Sequence, residues 1–363
     1  MSSSAQHTLR IQSDVLLSDL TTIHLGGRAR YFAACRAIDD IREALAFARE
    51  KSIRVCVLGG GSNVIFADEG FDGLVIHIET SGVAVQDDED ATMISAAAGE
   101  GWDPFIERCI EKGLGGIECL SGIPGLVGAT PIQNVGAYGQ EVCDTIVSVR
   151  ALDRETLDVV EFPNRDCGFG YRQSRFKSTD ADRFVISDVK FRLRKHGRPE
   201  IRYPELQRFI ASTADLNSLP DGEPILRAAR EAVITLRRRK SMVIDPRDPN
   251  SRSVGSFFMN PVLTKEQFAE VQTRWENAGG TATVPTFPSG ERIKIPAAWL
   301  VENAGFHKGY RRGGVGVSLN HSLALVNFGG TARELINLAG QIQRTVYKKF
   351  GVELQREPVI VPA

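Results

Sequence analysis

The chain has 363 residues, of which 42% are hydrophobic and 25% are charged, with a net charge of −1. This ordinary globular composition allows a sizeable core and predicts two or three domains. The only basic run, Arg237 to Lys240, ends a helical pattern, where it can complement the helix dipole or bind a local anion. Nothing in the charge pattern favours a nucleic-acid-binding protein.

Cysteine and histidine usage argues against a metal site. The six cysteines include no Cys-x-x-Cys pair, and the six histidines form no ligand spacing with them. The first residues are polar and lack the apolar segment of a signal peptide. No run approaches the roughly 18 apolar residues that cross a bilayer. We expect a reduced, cytoplasmic protein that holds no metal and binds neither a membrane nor nucleic acid.

The first region reads as an α/β unit with a glycine loop. A helix is predicted over 38–49, and strands over 55–58 and 74–78 flank the sequence Gly59-Gly60-Gly61-Ser62-Asn63. Three glycines after a strand can bring bare backbone N–H groups to a phosphate. The P-loop lysine is missing, and residues 64–66 look extended rather than helical. The sequence therefore leaves open a pyrophosphate site of a third kind and an ordinary glycine turn.

The second region combines a strand, a helix and a long loop. A strand is predicted over 92–98, and a helix over 103–112 that Asp103 can cap and Gly113 can end. The stretch 113–139 is rich in glycine and too long for an ordinary connection. Loops of this length are uncommon unless they bind something.

Later segments predict a hairpin, a half-buried strand and four helices. The hairpin joins 146–152 to 158–162, and apolar residues alternate with charged ones over 189–193. Residues 206–220 read as a polar connection. The helices are expected at 224–240, after the capping box Thr264–Gln267, from Pro296 to Gly305, and from the capping box Thr331–Glu334 to Gly351.

Three side chains outside the glycine loop could carry chemistry. Arg172 follows Phe169-Gly-Tyr and can present a planar fork to a carboxylate or phosphate, although a lone arginine is more often structural. Ser256 follows a glycine and precedes two phenylalanines, so it could donate a proton from a fixed position or simply cap a turn. Glu357 interrupts an apolar terminal strand pattern, either as a paired carboxylate or as a surface residue on an edge strand.

Taken together, these segments resemble the UDP-N-acetylenolpyruvoylglucosamine reductase family, and they occur in the family's order. Each motif is weak alone, but six in register make coincidence very unlikely. The matching segments are Leu20–Gly26, Gly59–Asn63, Gly122–Gly139, Phe169–Arg172, Gly255–Phe258 and Pro296–Leu300.

The resemblance implies an α+β fold. It comprises a two-subdomain FAD-binding unit of the vanillyl-alcohol-oxidase (PCMH-like) type, over 1–82 and 83–215, and a smaller α/β substrate domain over 216–350. The tail, 351–363, is expected to pack near the active site. The implied enzyme binds FAD non-covalently and takes hydride from NADPH. It reduces an enolpyruvyl UDP-sugar to UDP-N-acetylmuramate for peptidoglycan synthesis. We expect a monomer.

The resemblance also assigns roles to residues. Ser256 would protonate the substrate, and Arg172 and Glu357 would lie at its carboxylate. Around Glu357 the tail departs from the commoner pattern at Gln355 and Pro358. The implied substrate residues are Tyr203, Lys240, Asn260 and His321. The implied cofactor residues are Gly59, Gly60, Gly61, Ser62, Asn63, Ser121, Gly122, Pro124, Gly125, Gly128, Ala129, Gln133, Asn134, Gly136, Ala137 and Tyr138.

Two other functions remain open from the sequence. One is an oxidase of the same flavin fold with covalently attached cofactor, which would give no reason for Ser256 and Lys240. The other is a non-catalytic flavin or UDP-sugar binding protein.

Overall fold

The computed structural model describes residues 9–213 and 215–363. Its helices are α1 (Ile38–Glu50), α2 (Trp102–Glu111), α3 (Pro204–Thr213), α4 (Glu223–Arg239), α5 (Lys265–Asn277), α6 (Ala297–Asn303) and α7 (Ala332–Phe350). Its strands are β1 (Ile11–Leu16), β2 (Arg28–Cys35), β3 (Arg54–Leu58), β4 (Val64–Phe66), β5 (Phe71–Ile78), β6 (Val83–Asp87), β7 (Ala91–Ala97), β8 (Gly136–Ala137), β9 (Gln140–Glu141), β10 (Ile146–Asp153), β11 (Val159–Pro163), β12 (Phe184–Arg194), β13 (Ser253–Ser256), β14 (Val262–Leu263), β15 (Phe287–Ser289), β16 (Arg292–Lys294), β17 (Arg311–Arg312), β18 (Val315–Val317), β19 (Ala324–Asn327) and β20 (Val359–Val361).

The chain divides into two compact units. The first contains 29–60, 72–239 and the residues up to 15, and the second contains 16–28, 61–71 and 240–363. The chain passes between the units five times, and one of these crossings falls inside the triple-glycine loop, between Gly60 and Gly61.

Two sheets build the first unit. One has the strand order β1-β2-β5-β3, with β3 and β5 parallel, and the other is antiparallel with the order β11-β10-β12-β7-β6. Side chains along β12 alternate between the two faces of the sheet, and those of Val189, Phe191 and Leu193 are completely buried. Phe191 packs against Trp102 and Phe105 of α2, with ring centroids 6.0 and 5.3 Å apart. The predicted first helix, the hairpin and the strands over 55–58 and 92–98 are thus confirmed to within one residue. Strand β5 begins three residues before its predicted start, and β12 begins five residues before the segment predicted over 189–193.

The second unit packs α7 against a small antiparallel sheet of order β13-β19-β18-β17. The apolar stripe of α7, including Leu335, Ile342 and Phe350, is fully buried. Strand β20 pairs in parallel with β4 and pins the tail to the residues that follow the triple glycine. The two predicted capping boxes are both present.

Two local predictions were wrong. The polar connection expected over 206–220 begins inside α3, whose Leu206 and Ile210 are buried against α4. Their spacing of four residues is a narrow helical stripe that the surrounding polar residues obscured. Asp103 does not cap α2, because Gly101 is at the N-cap position without a side-chain bond.

No helix among the described residues has the length and apolarity needed to cross a bilayer. Across the same residues, no group of three or more His, Cys, Asp or Glu side chains is arranged to hold a metal ion.

The N-terminal cap of α7 gives a first prediction. The Thr331 hydroxyl accepts the Glu334 N–H at 3.1 Å, and the Glu334 carboxylate accepts the Thr331 N–H at 2.9 Å. Thr331→Ala should lower the free energy of unfolding by about 1 kcal/mol, measured by urea denaturation. Thr273→Ala is the control, because this exposed hydroxyl bonds only back to Ala269 within α5, and its loss should change little. Equal effects of the two substitutions would contradict the assigned cap.

Candidate active site

The triple-glycine loop runs from β3 into β4 and requires bare backbone. A Cβ on Gly60 would lie 2.9 Å from the Gly125 Cα, so the loop touches the second glycine-rich loop main chain to main chain. Gly61 has φ +63°, and a Cβ there would lie 1.9 Å from the Leu20 carbonyl oxygen. The carbonyl of Gly61 accepts the Thr22 N–H at 3.1 Å. The two segments predicted to hold the cofactor therefore approach each other at Gly60 and Gly125.

The second loop, 113–139, lies over the junction of β7 and α2. It contains two single-turn 3-10 helices, Glu118–Leu120 and Val127–Ala129, and the two-residue strand β8. The Gly128 N–H donates to Ala98 at 2.9 Å, and a Cβ on Gly128 would lie 2.5 Å from the Ala98 Cβ. Ser121 is buried, with its hydroxyl donating to the Glu118 carbonyl at 2.7 Å. Other predicted cofactor residues that are half-buried or exposed in these two loops are Ser62, Pro124, Ala129, Gln133 and Ala137.

Asp103 anchors this loop, a role that the sequence did not reveal. Its carboxylate accepts the Gly122 N–H at 2.6 Å and both terminal nitrogens of Arg230, at 2.5 and 2.9 Å. Burial alone would raise the pKa of Asp103, but Arg230 and the Gly122 N–H outweigh it, and the pKa is lowered. The ionised carboxylate thus joins α2, α4 and the second loop.

We expect Asp103→Asn to lower the free energy of unfolding by about 2 kcal/mol, because a charge-assisted bidentate pair is lost. The lowered pKa of Asp103 determines how its contribution to stability changes with pH. The carboxylate stabilises the fold fully above its unfolded pKa of about 4, and this contribution is lost as the pH falls through the lower folded pKa. Denaturation at pH 7 and in acid checks both points.

Asp221→Asn is the matched control for that substitution. Asp221 pairs with Arg198 at 2.7 Å in the same unit, but both side chains are about half exposed. Such surface pairs contribute little, so the control should change the unfolding free energy by less than about 0.5 kcal/mol at neutral pH. A similar loss in both variants would refute the anchoring role of Asp103.

Arg172 lies against the second loop within the first unit. It has φ +53°, and its Nη2 donates to the Gly136 carbonyl at 2.7 Å. The absence of a side chain at Gly136 permits this approach, since a Cβ there would lie 3.2 Å from the Arg172 Nη1. Asn134 is buried and donates to Glu141 at 2.8 Å and to the Gly170 carbonyl at 3.0 Å. Asn134 therefore ties the loop to the segment that carries Arg172.

Tyr138 and Tyr203 meet edge to face, with ring centroids 5.5 Å apart. Burial raises the pKa of Tyr138 to about 12 and also raises the pKa of Tyr203. Both phenols are therefore neutral hydrogen-bond donors at physiological pH. The Tyr203 side chain is still 39% exposed, so a ligand can reach it.

In the second unit, main-chain bonds join the segments of Ser256 and Glu357. The Glu357 N–H donates to the Phe257 carbonyl at 2.9 Å, and the Met259 N–H donates to the Gln355 carbonyl at 3.0 Å. Both candidate side chains are half-buried. Gly255 has φ +75°, and a Cβ built on it would meet nothing within 4 Å. The approach to Ser256 from this flank is therefore open.

Asn63, the last residue of the triple-glycine loop, also contacts the tail. Its carbonyl accepts the Val359 N–H at 3.0 Å, and its side-chain amide donates to the Glu357 carbonyl at 3.4 Å. The Glu357 backbone is thus held on one side by the Ser256 segment and on the other by the glycine loop.

The remaining substrate candidates lie at loop ends of the second unit. The Asn260 side-chain oxygen accepts the Ala297 N–H at 2.8 Å, at the start of α6. His321 Nδ1 accepts the Leu323 N–H at 3.0 Å, so Nε2 is the ring nitrogen that carries the proton. Lys240 is half-buried and directly follows α4.

The residues present fit a dinucleotide cofactor. Neither 58–63 nor 121–139 contains a charged side chain, so a pyrophosphate would meet backbone N–H groups without repulsion from carboxylates. The close approach of Gly60 to Gly125 leaves no room for side chains between the loops. Bare backbone of this kind suits the pyrophosphate of a dinucleotide such as FAD, which Gly59, Gly60 and Gly125 would hold.

Two family models match the chain. Residues 29–160 match an FAD binding domain, and residues 247–361 match the C-terminal domain of UDP-N-acetylenolpyruvoylglucosamine reductase. These matches indicate an FAD-dependent oxidoreductase with its flavin domain near the N-terminus.

Curated relatives and a solved structure agree with these matches. A protein named UDP-N-acetylenolpyruvoylglucosamine reductase from Thermobifida fusca is 44% identical, and the match covers 98% of this chain and 99% of that protein. A protein of the same name from Streptomyces coelicolor is also 44% identical, and the match covers 96% of this chain and 89% of that protein. The homologue from Mycobacterium tuberculosis H37Rv is 41% identical, covering 97% of this chain and 95% of its own length.

The crystal structure of the Thermus caldophilus reductase aligns with a TM-score of 0.64 at 22% identity, over 98% of this chain and 100% of that one. The predicted α+β flavoprotein fold is therefore confirmed. From these matches over nearly its whole length, the chain belongs to the UDP-N-acetylenolpyruvoylglucosamine reductase family.

Proposed function

We propose that this protein uses NADPH to reduce the enolpyruvyl group of UDP-N-acetyl-3-O-(1-carboxyvinyl)-glucosamine, forming UDP-N-acetylmuramate for peptidoglycan synthesis. Identity of 44% over nearly the full length to relatives named for this reductase supports the reaction. The observation that carries the proposal is the main-chain pairing of the Ser256 and Glu357 segments beside Asn63. This pairing supports a role for Ser256 as proton donor and for the Glu357 carboxylate at the end of the proposed flavin loop.

Ser256 is proposed as the proton donor. Bound FAD would supply the hydride chemistry, taking hydride from NADPH and delivering it to the enolpyruvyl group. Serine has a high intrinsic pKa, so its hydroxyl gives up a proton only to a strongly basic, carbanion-like carbon. The open flank at Gly255 and the buried Phe257 and Phe258 support a fixed, accessible hydroxyl at this point.

Arg172 and Glu357 are proposed to act at the substrate carboxylate. Negative charge develops there as the neighbouring carbon is reduced, and a preorganised cation lowers the cost of that charge. The bond from the Arg172 Nη2 to the Gly136 carbonyl restricts the position of the guanidinium group. The two-sided main-chain support of Glu357 similarly suits a carboxylate that orients the group or shares its proton.

Four further residues are proposed to bind the nucleotide sugar. Lys240 supplies positive charge for the diphosphate, and Tyr203 supplies a neutral donor. Asn260 and His321 complete the set as amide and imidazole partners. Competition between NADPH and the sugar nucleotide for one place would be consistent with this arrangement.

We also propose the domain boundaries 1–82, 83–215 and 216–350 with the tail 351–363, a cytoplasmic location, and a monomer. Gel filtration with light scattering tests the monomer.

The reaction is tested on the purified protein. Flavin colour, bleaching by NADPH and recovery of colour on adding the enolpyruvyl sugar nucleotide are expected. Flavin that pellets with acid-precipitated protein would instead favour the covalent oxidase. Failure of NADPH to bleach the flavin would favour a binding protein without activity.

A further inference from the structure

Four polar side chains of the second unit close a ring between 241–251 and 318–320. The Asn320 amide donates to the Ser241 hydroxyl at 2.8 Å, and Ser241 is also hydrogen-bonded to the Asp248 carboxylate. Asp248 accepts the Asn250 backbone N–H at 2.9 Å and its side-chain amide at 3.1 Å. The Asn250 oxygen accepts the Leu319 N–H at 2.9 Å and closes the circuit. We call Ser241, Asp248, Asn250 and Asn320 the polar ring.

Two members of the polar ring are buried, whereas Asp248 is half-buried and Asn320 is exposed. Ser241 and Asn250 are only 3% and 5% exposed. Ser241 has φ +55°, a conformation that non-glycine residues adopt rarely and keep only where the surroundings impose it. Burial alone would raise the pKa of Asp248, but bonds from Ser241 and Asn250 outweigh it and the pKa is lowered. Each member therefore constrains the next.

The ring connects the immediate neighbours of two proposed substrate residues. Ser241 directly follows Lys240, and Asn320 directly precedes His321. Their 2.8 Å bond constrains the separation of the two backbones at this point, because Ser241 is buried and its backbone is in the left-handed region.

We propose that the polar ring positions Lys240 and His321 and thereby sets the affinity for the nucleotide part of the substrate. This inference rests on the proposed function and adds positioning residues to it. None of the four ring members is assigned contact with the reacting atoms. Loss of the ring should weaken the binding of the sugar nucleotide and leave its chemical conversion nearly unchanged.

Paired substitutions at Ser241 separate positioning from stability. Ser241→Ala removes the hydroxyl and keeps a side chain at the unfavourable φ. Ser241→Gly removes the hydroxyl and also removes the backbone strain, because glycine adopts positive φ freely. Both should raise KM for the sugar nucleotide about 3–10-fold, the value of one hydrogen bond, with kcat within about twofold. The glycine variant should have the higher Tm. A KM that rises only in the less stable alanine variant would overturn the inference.

Asn320→Leu should give the same rise in KM. Asn303→Leu is the matched control, because Asn303 also donates one side-chain amide bond, to the Trp299 carbonyl at 2.8 Å, in the same unit but outside the ring. Its KM should equal that of the wild type. An equal change of KM in the two variants would refute the positioning role of the polar ring.

Calorimetric titration of the holoenzyme with UDP supplies a readout besides activity. Ring variants should bind UDP about 3–10-fold more weakly than the wild type. In one outcome, the wild type reduces the sugar nucleotide while the ring variants keep the wild-type KM and UDP affinity. That result overturns the positioning role of the polar ring and leaves the proposed function standing. A wild type that binds UDP without reducing the sugar nucleotide overturns the proposed function, and the ring is then judged on UDP affinity alone. A wild type that does neither overturns both.

Discussion

Replacing Ser256 by alanine should leave the reduction of bound flavin by NADPH intact and slow the reduction of the sugar nucleotide about 100-fold or more. The hydroxyl is needed only when the substrate carbon takes up a proton, which happens after NADPH has reacted. The neighbouring Phe257 and Phe258 are buried, so removing one oxygen from Ser256 should disturb the fold little. Stopped-flow absorbance follows flavin bleaching by NADPH and the return of colour with substrate.

Ser256→Cys provides the comparison for this result. A thiol can still donate a proton and has a pKa of about 8.5, so this variant should recover part of the rate that the alanine variant loses. If Ser256→Ala performs both half-reactions at the wild-type rate, Ser256 is not the proton donor. If both half-reactions slow equally, Ser256 supports the fold or the cofactor.

Gly61→Ala should lower the free energy of unfolding by at least about 3 kcal/mol and yield protein with little flavin. The left-handed backbone at φ +63° accounts for part of this loss. The larger part comes from the new Cβ, which would lie 1.9 Å from the Leu20 carbonyl oxygen. That oxygen belongs to the main chain and cannot move aside as a flexible side chain can. Urea denaturation and the ratio of flavin to protein absorbance measure the two effects.

Gly290→Ala isolates the backbone contribution. Gly290 has φ +58°, close to that of Gly61, but a Cβ there would meet nothing within 4 Å. Gly290→Ala should lower the free energy of unfolding by only about 1 kcal/mol and should not change the flavin content. If the two variants are equally destabilised, the close packing of the glycine loop against Leu20 is wrong.

Features set by neighbouring residues were predictable from the sequence. The capping boxes at Thr264 and Thr331 and the helix stop at Gly113 each depend on a few adjacent positions. Helix α3 was missed because only Leu206 and Ile210 mark its buried face.

The candidate site depends mostly on distant pairings. No local signal links Asp103 to Arg230, which lies on α4, or Ser241 to Asn320. The Ser256 and Glu357 segments also pair across a long stretch of chain. Only the family resemblance suggested that Ser256 and Glu357 act together, since residue spacing alone does not specify tertiary contacts.

The parallel pairing of β20 with β4 has a consequence for biosynthesis. The ribosome makes β4 early and β20 near the end, so β4 emerges long before its partner strand exists. Most residues of the first unit lie between these two strands in the chain. They can begin to fold while the main-chain groups of β4 still lack their β20 partners. Nascent chains stalled before residue 359 should therefore expose this strand to chaperones, and they should lack the support that fixes Glu357.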